Sequence, residues 1–128
     1  MDTTYFGRGF GVMVFRNVRC NKNLFGKFVR HETLDEYVAG IKYLVSKGWN
    51  ILGIVCDGKR GLFSAFGSIP IQMCQFHQVA IITRYTTTKP KLDAGKELRN
   101  IALNLKHTSK EQFVSKLKEW HKKWEAFL

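Results

Sequence analysis

An α/β fold is predicted by three observations. The first thirty residues hold three short runs rich in β-branched and aromatic side chains. A capped amphipathic helix then leads into Ile51-Leu-Gly-Ile-Val-Cys, an apolar run ending on Asp57. Beyond Pro90 every apolar stripe has helical spacing.

The elements follow in order. Residues 1–6 open as a strand containing Asp2, and Gly7, Gly9 and Gly11 break it around Arg8 and Phe10. Residues 12–16 and 24–30 read as two further strands, separated by the polar stretch Asn17 to Asn23. Three short strands with tight connections predict an antiparallel meander. Thr33 is an N-cap candidate, with Glu36 at capping-box spacing. Leu34, Tyr37, Val38, Ile41, Leu44 and Val45 form the apolar stripe of a helix that Gly48 stops. Residues 50–56 suit a parallel strand covered on both faces. A short helix over 60–66, a strand over 69–75 and a helix from His77 to about Tyr85 follow. After the break at Thr86–Pro90, Leu98, Ile101, Ala102 and Leu105 mark one helix. Phe113, Leu117, Trp120, Trp124 and Phe127 mark a last one, capped by Thr108 or Ser109. Its wide aromatic face calls for a packing partner, part of which is expected outside this chain.

A chain of 128 residues is one domain or a piece of one. Its 45% hydrophobic content supports a core and argues against disorder. No apolar run approaches the roughly 20 residues of a membrane span, and no signal peptide is visible. Three scattered cysteines, Cys20, Cys56 and Cys74, fit a reducing compartment better than a disulfide framework. The net charge of +11 favours a polyanionic partner, most often nucleic acid. The basic excess is spread along the chain rather than gathered in a tail.

Asp57 is the first candidate for chemistry. A carboxylate closing a buried strand requires a partner, a metal ion or water. Asp57-Gly58 is also an ordinary turn dipeptide. If the first and fourth strands are neighbours, Asp2 and Asp57 approach each other, and a divalent cation relieves their repulsion. Lys59 and Arg60 are placed to hold a phosphate, or form a solvated turn. Cys74-Gln-Phe-His77 is half of a zinc motif, but no second close pair exists among Cys20, Cys56, His31, His107 and His121, so no zinc is expected. Lys110, Lys116, Lys118, Lys122 and Lys123 lie on the last helix, expected opposite its aromatic face. Trp120 and Trp124 read as core rather than as a base-stacking platform.

Asp2-Thr-Thr-Tyr-Phe, Val-Cys-Asp57-Gly-Lys-Arg-Gly and Cys74-Gln-Phe-His77-Gln, taken in that order, resemble the catalytic domain of bacterial insertion-sequence transposases of the mutator-like group. The resemblance is to the variant with an upstream zinc-binding segment. It runs over essentially the whole chain. Each motif alone is weak, and the ordered triple carries the resemblance. It implies a truncated ribonuclease-H-like core over residues 1–88 and the beginning of an all-helical insertion over 89–128. It implies that Asp2 and Asp57 are the first two catalytic acids and bind Mg²⁺ or Mn²⁺, with Cys74 and His77 close to the active site. The third acid of such enzymes is a glutamate beyond the insertion, so it is expected to be missing here. Glu97, Glu111, Glu119 and Glu125 fall within the insertion, and none is assigned that role. The partners implied are DNA (element ends and target) and a second copy or a full-length transposase, with no membrane, in the bacterial cytoplasm at the nucleoid. The alternative is a non-catalytic DNA-binding or regulatory fragment that joins the full-length enzyme.

Overall fold

The computed structural model describes residues 1–127. The chain is α/β and divides into two compact units, residues 1–73 and Cys74 onward.

The first unit opens with the meander: β1 (Asp2–Phe6), β2 (Phe10–Asn17) and β3 (Lys22–Val29) pair antiparallel in the order β1-β2-β3. Phe6 opposes Phe10, so Gly7-Arg8-Gly9 is a three-residue hairpin loop, with Gly7 at φ 67°. Thr3 opposes Met13, and Met13 opposes Lys27. Side chains alternate between the two faces of a strand. One face therefore carries Thr3, Met13, Phe15 and Val29 inward, and the other carries Thr4, Phe6, Val12 and Phe28 outward. Met13 and Phe15 are buried, whereas Phe6 and Phe28 are exposed.

Helix α1 (Leu34–Ser46) lies on the inner face. The Thr33 side chain accepts from Glu36 N at 3.2 Å, which is half of the expected capping box. The other half is lost because the Glu36 carboxylate takes Lys27 of β3 instead. Tyr37, Ile41 and Leu44 are buried with Met13 and Phe15, while Val45, at the edge of the stripe, is exposed. Gly40 lets the Phe15 ring lie against the helix backbone.

The apolar run over 50–56 forms only a short strand, β4 (Ile54–Cys56), parallel to β5 (Ile71–Met73). Between them lies one helical turn, α2 (Leu62–Ala65), whose Leu62 is buried. Ile54 and Cys56 enter the core, but Leu52 and Val55 are exposed. The strand is thus covered on one face, not two as its composition suggested, because α1 packs on the inner side alone. Met1 N donates to Val55 O at 2.8 Å, which sets the start of β1 beside β4.

The second unit is helical: α3 (Gln75–Thr86), α4 (Asp93–Leu103), a 3₁₀ turn over Leu105–His107 and α5 (Lys110–Trp124). The expected boundary at 88/89 falls inside this unit, between α3 and α4, which pack on each other. Ser109 and Gln112 form a complete capping box at the start of α5. The Thr108 hydroxyl instead donates back to Leu105 O at 3.1 Å. The aromatic face of α5 packs in part on α4, with Phe113, Leu117, Trp120 and Trp124 half-buried and Phe127 exposed. Trp120 Nε1 donates to Ala94 O at 2.8 Å, and Trp124 Nε1 to Glu97 Oε2 at 2.9 Å. Ala94 and Ala102 of α4 are buried. Both tryptophans are therefore part of the α4–α5 packing.

Candidate functional site

Met1 N and Val55 O tie the start of β1 to β4, which brings Asp2 on β1 and Asp57, just past the end of β4, into neighbouring elements. Asp2 directly follows Met1, and Asp57 stands two residues past Val55. Asp2 is exposed, and its Oδ1 accepts from Thr3 N at 2.9 Å. Asp57 is half-buried, and its Oδ1 accepts from Lys59 N at 3.2 Å. That is an Asx turn, so the ordinary turn chemistry of Asp-Gly is present at this position. In both residues Oδ2 has no hydrogen-bond partner among the described residues.

A polar network stands beside them that the sequence did not disclose. The Tyr37 hydroxyl donates to the Glu32 carboxylate and meets Thr3 Oγ1 at 3.0 Å. Glu32 Oε2 lies 3.7 Å from Lys59 Nζ, and Tyr5 Oη accepts from Glu32 N at 2.7 Å. Burial pushes the Tyr37 hydroxyl far above its ordinary range. The bond to Glu32 and the negative charges of Glu32 and Asp57 push the same way. The hydroxyl therefore remains a donor throughout the working pH range. Tyr37 was readable only as one member of an apolar stripe. Glu32 precedes the N-cap and carries no motif, so their meeting is purely tertiary.

Lys59 is turned toward Glu32, not toward its sequence neighbour Asp57, while Arg60 is exposed. Both leave N–H groups for an anion, since an ammonium has three donors and a guanidinium five.

Cys74 and His77 belong to the second unit. Cys74 is the N-cap residue of α3, and His77 lies in its first turn with its ring edge-on to Phe76 at 5.5 Å. His77 Nδ1 is buried without a hydrogen-bond partner. Among the described residues, no group of three or more His, Cys, Asp and Glu side chains is arranged to hold a metal ion.

The α5 lysines are all exposed, but one of them is engaged by the neighbouring helix. Lys123 donates to Glu97 Oε1 at 2.6 Å and lies 5.1 Å from the centre of the Trp124 ring. Lys123 comes first, and the Trp124 indole second, in holding the Glu97 carboxyl below its usual range. At 100° per residue the outer face mixes Lys118 and Lys122 with Glu111, Glu119 and Glu125, so it is not a basic stripe.

A concavity of about 410 Å³ is lined by Met1, Leu24, Ile41, Trp49, Ile51 and Val55, with Arg16 and Arg19 also on its wall. It contains neither candidate aspartate. No helix among the described residues is long and apolar enough to cross a membrane. Comparison with family models, with curated proteins and with solved structures found no match to this chain.

Proposed function

We propose that this chain is part of the catalytic domain of a metal-dependent DNA transposase with a ribonuclease-H-like sheet, in which Asp2 and Asp57 are two of the metal ligands. The observation that carries this is the bond from Met1 N to Val55 O. It sets the start of the β1-β2-β3 sheet beside the separate, parallel β4–β5 pair, so that Asp2 on β1 and Asp57 just past the end of β4 belong to neighbouring elements. The net charge of +11 supports a DNA partner.

The carboxylates suit Mg²⁺ or Mn²⁺. Each keeps one oxygen available, and a hard cation of this kind is commonly bound by one or two protein carboxylates and several waters. When bound, the ion lowers the pKa of its water and offsets charge on a phosphodiester. The chain's own residues do the positioning. The Asx turn fixes the Asp57 carboxylate against Lys59 N. Glu32 holds Lys59 near the same turn, where its remaining N–H groups can meet a phosphate. Thr3 and Tyr37 lock β1 to α1 next to Asp2.

A second reading is favoured by one observation: no third acid joins the two aspartates among the described residues. On that reading the chain binds DNA without cutting it. Both readings require DNA affinity to drop about tenfold or more between 50 and 200 mM salt, since phosphate contacts release counterions. In a supercoiled-plasmid assay with Mg²⁺ or Mn²⁺, residues 1–128 alone should give no strand transfer. Efficient transfer would contradict a site that needs a third carboxylate from outside these residues.

A further inference from the structure

The outer face of the β1-β2-β3 sheet carries three exposed aromatic rings. Phe6 is 56% exposed, Phe10 44% and Phe28 75%. They form one row: Phe6 and Phe10 stack at 5.7 Å and 26°, and Phe28 meets Phe10 edge-on at 5.7 Å and 68°. Val12, opposite Phe28 in the register and two residues from Phe10, is on the same face. These rings are outside the hydrophobic cluster that α1 covers.

The row is flanked by cations. Arg8 is exposed at the tip of the Gly7–Gly9 loop, next to Phe6 and Phe10. Arg30 follows β3 and is exposed. Continuing the Gly11↔Val29 register by one residue sets it opposite Phe10, on the aromatic face. Asp2 is on this face too, but at the far end of β1, about 13 Å from Phe6 at ~3.3 Å per residue.

We propose that this face binds single-stranded nucleic acid, with Phe28, Phe10 and Phe6 stacking on unpaired bases and Arg8 and Arg30 contacting phosphates. Charge complementarity selects this occupant. A second copy would bring the same +11 charge and the same two arginines to the interface, whereas a polyanion is attracted by both. Stacking selects single strands, because a duplex keeps its base faces covered and an open aromatic row reaches them only when they are unstacked. The proposal rests on the reading of the partner as nucleic acid but makes no use of Asp57 or a metal ion.

The test is fluorescence anisotropy of the full chain with a labelled oligothymidylate and, separately, a labelled duplex. Phe28→Ala should weaken single-strand binding about tenfold, the scale of one lost base stack, and leave duplex binding unchanged. Phe28→Trp should retain single-strand affinity. Arg30→Gln should lower the slope of log affinity against log salt by about 0.7, the value for one single-strand phosphate contact. Phe28 is exposed enough that its removal leaves the fold intact, and circular dichroism checks this. Wild-type single-strand affinity in both Phe28→Ala and Phe10→Ala would overturn the proposal. So would a wild-type dimer that Phe28→Ala converts to monomer without changing oligothymidylate binding, since the face would then join two copies. Because none of these readouts involves metal, loss of metal binding on replacing Asp57 reports on the catalytic reading separately.

Discussion

Gly40→Ala is expected to lose about 3 kcal/mol of stability, the upper part of the usual range for overpacking a core. A Cβ at this position would lie 2.1 Å from Phe15 Cζ, 2.5 Å from Cε2 and 2.8 Å from Cε1. Relief by a small side-chain shift is blocked. Phe15 is 2% exposed, packs edge-on against Tyr37 and at a tilt against Phe25, and is opposed in the sheet by Phe25. A domain has only about 5–15 kcal/mol in total, so a loss of this size is a large share of it. Urea unfolding followed by circular dichroism measures it. Gly40→Ala combined with Phe15→Leu should recover part of the loss, because the two changes act on one contact. By contrast, Gly9→Ala meets nothing within 4 Å and should leave the midpoint almost unchanged.

Tyr37→Phe is the second large effect. The variant retains the ring and its packing but removes the hydroxyl that joins Thr3 of β1 to Glu32 ahead of α1. A hydrogen bond to a charged group contributes about 1.5–3 kcal/mol, and Thr3 Oγ1 loses its partner as well. A loss of about 2 kcal/mol near pH 7 is expected. The alkaline side carries a sign. The folded-state pKa of Tyr37 is raised, first by burial and then by its bond to Glu32. Above the ordinary tyrosine pKa of about 10, the unfolded chain releases this proton while the folded chain keeps it. The unfolded state then binds fewer protons, so this group's contribution falls as pH rises. It is fully present below about pH 10 and declines above it, and the wild-type and Tyr37→Phe stability curves should converge there. Parallel curves up to the alkaline limit would show that the hydroxyl is not held protonated in the fold.

Much of the fold was legible because each element carries its own local signal. The glycines around Arg8 mark a hairpin, the Thr33 cap marks the start of α1, and Phe113, Leu117, Trp120 and Trp124 mark one face of α5. What was not legible depends on partners distant in sequence. Glu36 has the spacing for a capping box, but Lys27 draws its carboxylate away. Leu52 and Val55 are as apolar as Ile54, yet they are exposed, since among the described residues they are not part of the cluster that buries Ile54 and Cys56. The α5 indoles looked unpartnered because nothing in Asp93–Leu103 announces that Ala94 O and Glu97 would receive them.

The candidate site divides in the same way. Asp57 was visible as an acid closing an apolar strand, and its turn followed from the glycine beside it. That the Lys59 side chain answers to Glu32 rather than to Asp57 is a contact between residues 27 positions apart, which no local pattern announces. Asp2 could be linked to Asp57 only through the order of the strands, and the bond from Met1 to Val55 supplies that link within the first unit.

The most direct test of the central claim is Mn²⁺ binding to the full chain, followed by electron paramagnetic resonance, in wild type and in Asp57→Ala. One carboxylate on β1 and one just past the end of β4 predict saturable binding in the wild type, competed by Mg²⁺ and lost when Asp57 is replaced. Equal Mn²⁺ binding by the two proteins, with DNA affinity also unchanged, would contradict a metal site at Asp2 and Asp57 and leave a DNA-binding module.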